Sequence, residues 1–293
     1  MKILITGGSG FLGRNVCENL LKRGHEVVVY DIKEPAFNVP EYCCGNMLDK
    51  EKLWDCIKQS DAVMHLAGLL GTSETVNQPI EPAKVNILGS LSLFEACRKF
   101  NKRCCYIAVG NHFMFNPYAI TKTTAEKFAL MYNIERKTQI AVVRGLNAYG
   151  PYQKHKPVRK AIPNFVLWAL RNEPIEVYGS GEQIMDFIYV DDLAEILCRA
   201  LFNDHGIYDS IIEAGSGRRT TINYIVKTII KLSGSKSIIT HLPMRPGEMV
   251  DSVVVADVKT LEPLGYDPDD MVGLEDGLNR TIDHHRKHLK EYK

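Results

Sequence analysis

Short apolar runs alternate with amphipathic stretches through the first half of the chain. Ile3, Leu4 and Ile5 form a largely β-branched run, glycines interrupt it, and Val16, Leu20 and Leu21 then recur at helical spacing. This predicts strand, tight turn, helix. A second buried strand is predicted over His25 to Tyr30. A short strand over Glu41 to Gly45 follows, then a helix through Ile57 that Asp49 can cap. Further strands are expected over 61–67, 104–108 and 140–144, with helices between them over about 82–100 and 118–136. Strands alternating with helices in this way predict a parallel, doubly wound sheet covered on both faces.

From Gly145 the pattern loosens. A basic, turn-rich connection over 150–157 precedes a helix at 162–170. Strands are expected at 176–179, 186–190 and 207–213, and near Ile238. Helices are expected from Asp191, from Thr221 and after Gly273. These pieces suit a smaller α/β lobe over the carboxyl edge of the sheet. The fold class expected is therefore α/β, a doubly wound parallel sheet with a smaller lobe on its C-terminal side. The first domain is placed at 1–150 and the second mainly at 151–293, with about 186–215 returning to the first.

Composition adds mainly exclusions. With 293 residues, 45% hydrophobic and 24% charged, the chain can bury a full core and is not of the disordered class. A net charge of +1 supplies no general field for nucleic acid or an anionic membrane, so neither is expected as a partner. The chain opens on a strand without a signal-type apolar block. No apolar run approaches the ~20 residues that span a bilayer, so a cytoplasmic location is expected. The eight cysteines form no C-x-x-C pair and read as small core residues. His284, His285 and His288 sit in a basic tail without carboxylate or cysteine company, and no metal site is expected.

Gly8, Gly10 and Gly13 satisfy G-x-G-x-x-G between the first strand and helix, the pattern of a dinucleotide site with its pyrophosphate at a helix N-terminus. Asp31 closes the second strand near the ~20-residue separation at which a carboxylate reaches the adenosine ribose. It would repel a 2′-phosphate, favouring NAD over NADP. Tyr118 and Lys122 lie one helical turn apart, where an ammonium favours the phenolate and lowers the phenol's pKa from ~10. His65 reads as a core histidine. Lys154, Lys156, Arg159 and Lys160 offer charge to a phosphate-bearing substrate or make a solvated loop.

The whole chain resembles the extended short-chain dehydrogenase/reductases, in their nucleotide-sugar epimerase and dehydratase branch. The resemblance rests on Gly7-x-x-Gly10-x-x-Gly13, His65-Leu-Ala-Gly68, Asn86, Tyr118-x-x-x-Lys122, Arg144-x-x-Asn147-x-Tyr-Gly-Pro151, Phe187-x-Tyr-Val-x-Asp192 and Arg245-Pro-Gly-Glu248. It implies a Rossmann-type fold and NAD as cofactor. The cofactor would be held by Gly7, Gly10, Phe11, Leu12, Asp31, Asn46, Met47, Leu66, Ala67, Gly68, Asn86, Tyr118 and Lys122. It also implies Tyr118 as catalytic base and a nucleotide-diphosphate sugar bound by Asn147, Arg245 and Glu248. A homodimer is implied through the helices over 82–100 and 118–136, with Val85, Leu88, Leu91 and Phe94 as the apolar set.

The chain departs from that pattern at three places. Gly110 stands where the resemblance places a catalytic hydroxyl, and Thr72, Ser73 or His112 are the expected substitutes. Asn111-His112 replaces an Asp-Glu pair of the 4,6-dehydratases, and Met185 stands where an arginine often clamps the diphosphate. The expected activity is NAD-dependent 4-epimerisation through a transient 4-keto sugar. A dehydratase or decarboxylase starting from the same oxidation is the alternative. A non-catalytic nucleotide-binding protein is the alternative of another class.

Overall fold

The computed structural model describes residues 1–203 and 206–292. The chain begins with β1 (Lys2–Thr6), α1 (Phe11–Lys22), β2 (Glu26–Asp31), β3 (Glu41–Cys44), α2 (Lys50–Lys58) and β4 (Ala62–His65). Then come α3 (Ile80–Pro82), a π-helical turn over Ala83–Gly89, α4 (Ser90–Phe100), β5 (Arg103–Val109), α5 (Pro117–Arg136) and β6 (Ile140–Gly145). The next stretch holds β7 (Asn147–Tyr149), α6 (Ala161–Arg171), β8 (Ile175–Tyr178), β9 (Ile184–Met185), β10 (Phe187–Tyr189) and α7 (Val190–Leu201). It ends with β11 (Ile211–Ala214), β12 (Thr220–Thr221), α8 (Ile222–Ser233), β13 (Ile239–Leu242), β14 (Val253–Val254) and α9 (Leu274–Lys287).

Seven parallel strands form one sheet in the order β11-β6-β5-β4-β1-β2-β3. The winding reverses between β1 and β4, and a crevice opens outside their carboxyl ends. Alternate residues of one strand serve opposite faces. Ile3 and Ile5 face α1 and α7, whereas Leu4 faces α2, α4 and α5. Burial on both faces is why these strands read as unbroken apolar runs. Each fully buried Ile or Leu contributes roughly 1.5–3 kcal/mol.

Caps fix where the helices start. Asp49 accepts from the Lys52 N–H at 3.2 Å. Asn116 accepts from the Ala119 N–H at 2.9 Å, with Pro117 opening α5. The π-helical turn carries Asn86 into the interior. A second core, around Phe165, Val166, Val177, Ile225 and Leu278, joins α6, α8 and α9.

The strand expected at 207–213 is confined to Ile211–Ala214, and the wider span 186–215 includes 204 and 205, which lie outside the described residues. Cys17, Cys97, Cys104, Cys105 and Cys198 are buried as small core residues, and all eight cysteines are unbridged. His284 packs against Tyr152, and His285 is buried against Thr281 and Tyr292. Among the described residues no helix is long and apolar enough to cross a membrane.

The apolar set of the second helical stretch divides differently from the expectation. Phe94 is fully buried in the sheet-facing core and Val85 and Leu91 pack against that core, so only Leu88 stays exposed. Ile120 and Ile134 on α5 are also exposed.

Candidate active site

A cavity of about 530 Å³ opens at the carboxyl ends of β1, β4, β5 and β6, and α6, β8 and residues 244–254 contribute its opposite wall. The first half supplies Gly7, Gly10, Phe11, Leu12, Asp31, Leu66, Ala67 and Gly68. Tyr118 and Lys122 enter from α5, Asn147 from β7, and Arg245 and Glu248 from the loop before β14.

The capped start of α5 sets Tyr118 and Lys122 on its cavity face. Lys122 is almost wholly buried, and its Nζ lies 4.2 Å from the centroid of the Tyr106 ring, a cation–π contact. The Tyr106 hydroxyl donates to the Lys122 carbonyl at 3.0 Å, tying the helix to β5. Burial pushes the Tyr118 phenol up to about 12 and the Lys122 ammonium down to about 7, while Glu126 pulls the lysine back up. The expectation that the lysine lowers the phenol's pKa is therefore reversed in the free protein. Burial is the cause at Tyr118, and at Lys122 it outweighs the pull of Glu126. Tyr118 holds its proton near neutral pH, and Lys122 is poised to change charge there.

Beyond β5, a β-carbon at Gly110 would lie 2.9 Å from Leu146 Cγ and 3.2 Å from its Cα. Leu146 thus fills the space that a hydroxyl-bearing side chain needs. Of the three substitutes expected, Thr72 alone lines the cavity, and its Oγ1 donates to Glu248 Oε1 at 3.0 Å. Ser73 is not on the wall. His112 turns aside, its Nδ1 3.2 Å from the Gly110 carbonyl and its ring edge-on to Phe113. Asn111, which the sequence did not single out as a site residue, does line the cavity, with Nδ2 donating to Met114 Sδ at 3.1 Å.

Three expected cofactor residues also stand off the wall. Asn46 accepts from Tyr30 through its carbonyl and from the Leu48 N–H through Oδ1, and Met47 is buried against Gly89. Asn86 accepts from the Leu69 N–H at 2.7 Å and donates to the Leu69 carbonyl and to Thr121 Oγ1. Its amide holds the loop after β4 to α5, next to Lys122, and so acts by positioning.

At the second-lobe end, Arg245 pairs with Glu248 and lies 4.0 Å from Glu74. Arg159 pairs with Glu176 at 2.5 Å and donates to the Tyr178 hydroxyl. Arg159 and Lys160 line the cavity; Lys154 and Lys156 do not. Asn147 donates to the Asp186 carbonyl at 2.9 Å. Two supports went unseen in the sequence. Asp186, fully buried, accepts from Ser216, Gly217 and Ala256. Arg144 makes a bidentate pair with Glu126 and a third bond to Glu213. These contacts join the ends of β6 and β11 to α5 and to the loop after β14, and no local sequence pattern announces them.

A family model described as the NAD dependent epimerase/dehydratase family matches residues 3–214. The chain belongs to this family. It is 31% identical over 270 residues, 83% of each chain, to a UDP-N-acetyl-alpha-D-glucosaminuronate decarboxylase of Bacillus cytotoxicus. Among solved structures it is similar to UDP-glucose 4-epimerase of Thermus thermophilus in complex with NAD, with a TM-score of 0.88 at 27% identity, covering 98% and 99% of the two chains. It is equally similar to UDP-glucuronic acid 4-epimerase of Bacillus cereus in complex with UDP-glucuronic acid and NAD, with a TM-score of 0.88 at 26% identity, covering 99% and 100%.

The family's cofactor fits the residues present. The N-terminus of α1 has neither a side-chain cap nor an acidic residue in its first turn, leaving its N–H groups for a phosphate. A β-carbon at Gly13 would lie 2.5 Å from the Gly7 carbonyl oxygen, so only glycine lets the loop close onto the helix. Asp31 accepts from the Ser9 and Lys33 N–H groups, each at 3.1 Å, and a carboxylate keeps further lone pairs for ribose hydroxyls.

Proposed function

We propose that this member of the family is an NAD-dependent 4-epimerase of UDP-sugars, with Tyr118 as the proton-transfer group. The observation that carries this reading is the meeting of Tyr118 and Lys122 with the glycine loop and Asp31 in one cavity, without a carboxylic acid at 110–112. Gly7, Gly10 and the α1 N-terminus would hold the cofactor's pyrophosphate, Asp31 its adenosine ribose and Lys122 its nicotinamide ribose. Bound NAD⁺ supplies a hydride acceptor and a positively charged ring.

Tyr118 takes the proton of the sugar's 4-hydroxyl as C4 is oxidised and returns it when hydride comes back to the other face of the ketone. The free-state pKa near 12 is suited to donation. A positive charge brought beside the phenol, with Lys122 protonated, favours the phenolate for the first half. Asn111 and Gly110 offer no group to remove or deliver a proton at C5 or C6, which disfavours elimination. Asn147, Arg245 and Glu248 would hold the nucleotide diphosphate. NMR of products formed from UDP-glucose, UDP-glucuronate and UDP-N-acetylglucosamine, without added reductant, tests this. Inversion at C4 with unchanged mass supports it, and loss of water contradicts it.

The second reading is a decarboxylase that starts with the same oxidation, favoured by the 31% identical relative. Release of carbon dioxide from a UDP-uronate would establish it. The family resemblance further supports a homodimer through α4 and α5, where Leu88, Ile120 and Ile134 are exposed. Light scattering at micromolar concentration should return twice the chain mass, and Ile120→Glu should shift it toward a monomer.

A further inference from the structure

Away from the cavity, two cysteines meet at the edge of the central sheet. β3 is its outermost strand, and successive side chains turn to opposite faces. Tyr42 packs toward the core shared with α1 and α7, whereas Cys43 turns to the side of α2. Cys56 reaches that same side from the last turn of α2. The two sulfurs lie 3.3 Å apart with a hydrogen bond between the thiols, and both residues are half-buried. Sulfurs so placed need only close to ~2.05 Å to bond, a movement that small side-chain rotations supply.

The surroundings make this pair selective. Cys44 is exposed, but the alternation of the strand turns it to the face opposite Cys43, away from Cys56. Cys104 also meets a thiol, that of Cys97, yet each residue is only 1% exposed. Burial raises the Cys104 thiol well above its ordinary range, and an oxidant in water does not reach it.

We infer that Cys43 and Cys56 form a reversible redox site, a dithiol that hydroperoxides oxidise to a disulfide within the folded chain. Burial and the neighbouring Cys43 push the Cys56 thiol up to about 12, so it stays protonated and the first attack falls to Cys43. The Cys43 sulfur attacks one peroxide oxygen and the O–O bond breaks. A sulfenic acid forms, and the other oxygen leaves as water with the thiol's proton. The Cys56 sulfur then attacks the sulfenic sulfur. The S–S bond forms, the S–O bond breaks, and a second water leaves with the Cys56 proton. The thiols together lose a pair of electrons and a pair of protons, and the peroxide is reduced to water. The bridge joins residues 13 apart in sequence and fastens β3, whose end lies in register beside Asp31, to α2 in the arrangement already present.

The test treats the whole protein with hydrogen peroxide under native conditions, blocks the remaining thiols and maps the tryptic peptides. Cleavage at Lys50 and Lys52 puts Cys43 and Cys44 on one peptide and Cys56 on another. Cys44→Ser leaves Cys43 as the one thiol of its peptide, so a link there is unambiguous. A link is expected in wild type and in Cys44→Ser, and in neither Cys43→Ser nor Cys56→Ser. Oxidised wild type should melt roughly 5 °C above the reduced protein, and dithiothreitol should reverse the rise. Methionine sulfoxide is not reduced by dithiothreitol, so reversal separates the bridge from methionine oxidation. NAD affinity should stay within about twofold, because the sulfurs already touch in this conformation.

Peptides that stay unlinked at millimolar peroxide overturn the inference. So does a link that persists in Cys43→Ser, which assigns the bridge to Cys44. A link that forms only after unfolding, or that costs NAD affinity roughly tenfold, also overturns it, since the fold then does not hold the pair ready. Each of these failures leaves the proposed activity standing.

Discussion

Leu146 stands behind Gly110 so closely that a β-carbon added to the glycine would lie 2.9 Å from Leu146 Cγ. The position is closed sterically, and adding back a hydroxyl there forces Leu146 or the end of β5 to move. Gly110→Ser is therefore expected to destabilise the protein by about 1–3 kcal/mol, the usual range for overpacking, and not to raise kcat. Pairing it with Leu146→Ala should recover part of the overpacking loss. Thermal melts and steady-state turnover of the two variants check this.

Tyr118→Phe removes the transferable proton and little else. Turnover should fall by ~10²- to 10⁴-fold, with bound NAD and melting temperature nearly unchanged. Retention of wild-type turnover would remove Tyr118 from the chemistry.

Lys122 is held down at about 7 in the fold, against an ordinary value of 10.5. Below pH 7 the lysine is protonated in both folded and unfolded states, and the full penalty of burying its charge is present. Between about pH 7 and 10.5 the unfolded chain binds more protons than the folded one, so stability rises with pH and the penalty fades. Wild type should gain stability relative to Lys122→Met across that window, by the order of a few kcal/mol. Urea midpoints of the two NAD-free proteins at pH 6.5 and pH 10 measure it.

Asp31 both pins the glycine loop through the Ser9 N–H and is placed to receive the ribose. Asp31→Asn keeps an acceptor there and removes the charge. It should weaken NAD by roughly 10-fold and narrow the preference over NADP by a similar factor. A wild type that binds NADP more tightly than NAD would contradict this reading of the β2 end.

What was legible in the sequence follows from periodicity. The central strands and their covering helices each span enough residues for burial on one or both faces to leave a pattern, and the glycine loop and Tyr118–Lys122 are local in the chain. Strands of two residues, such as β9 and β12, leave no pattern at all. The supports made by Asp186 and by Arg144 with Glu126 and Glu213 join residues far apart in sequence, so only the folded chain displays them. Asn86 was legible as a residue of note but not in its role, because only the π-helical turn shows that it clamps Leu69. The shift at Tyr118 depends on burial, which the spacing of a tyrosine and a lysine does not reveal.

The central claim is that C4 is oxidised and reduced within one closed cavity by the same hydride. A UDP-sugar that the protein converts, carrying deuterium at C4 and incubated in ordinary water, tests it most directly by NMR and mass spectrometry of the product. The account predicts a C4 epimer that keeps its deuterium at C4, with no solvent hydrogen gained at C5. Deuterium lost from C4 in a released epimer, or a product lacking water or carbon dioxide, would contradict it.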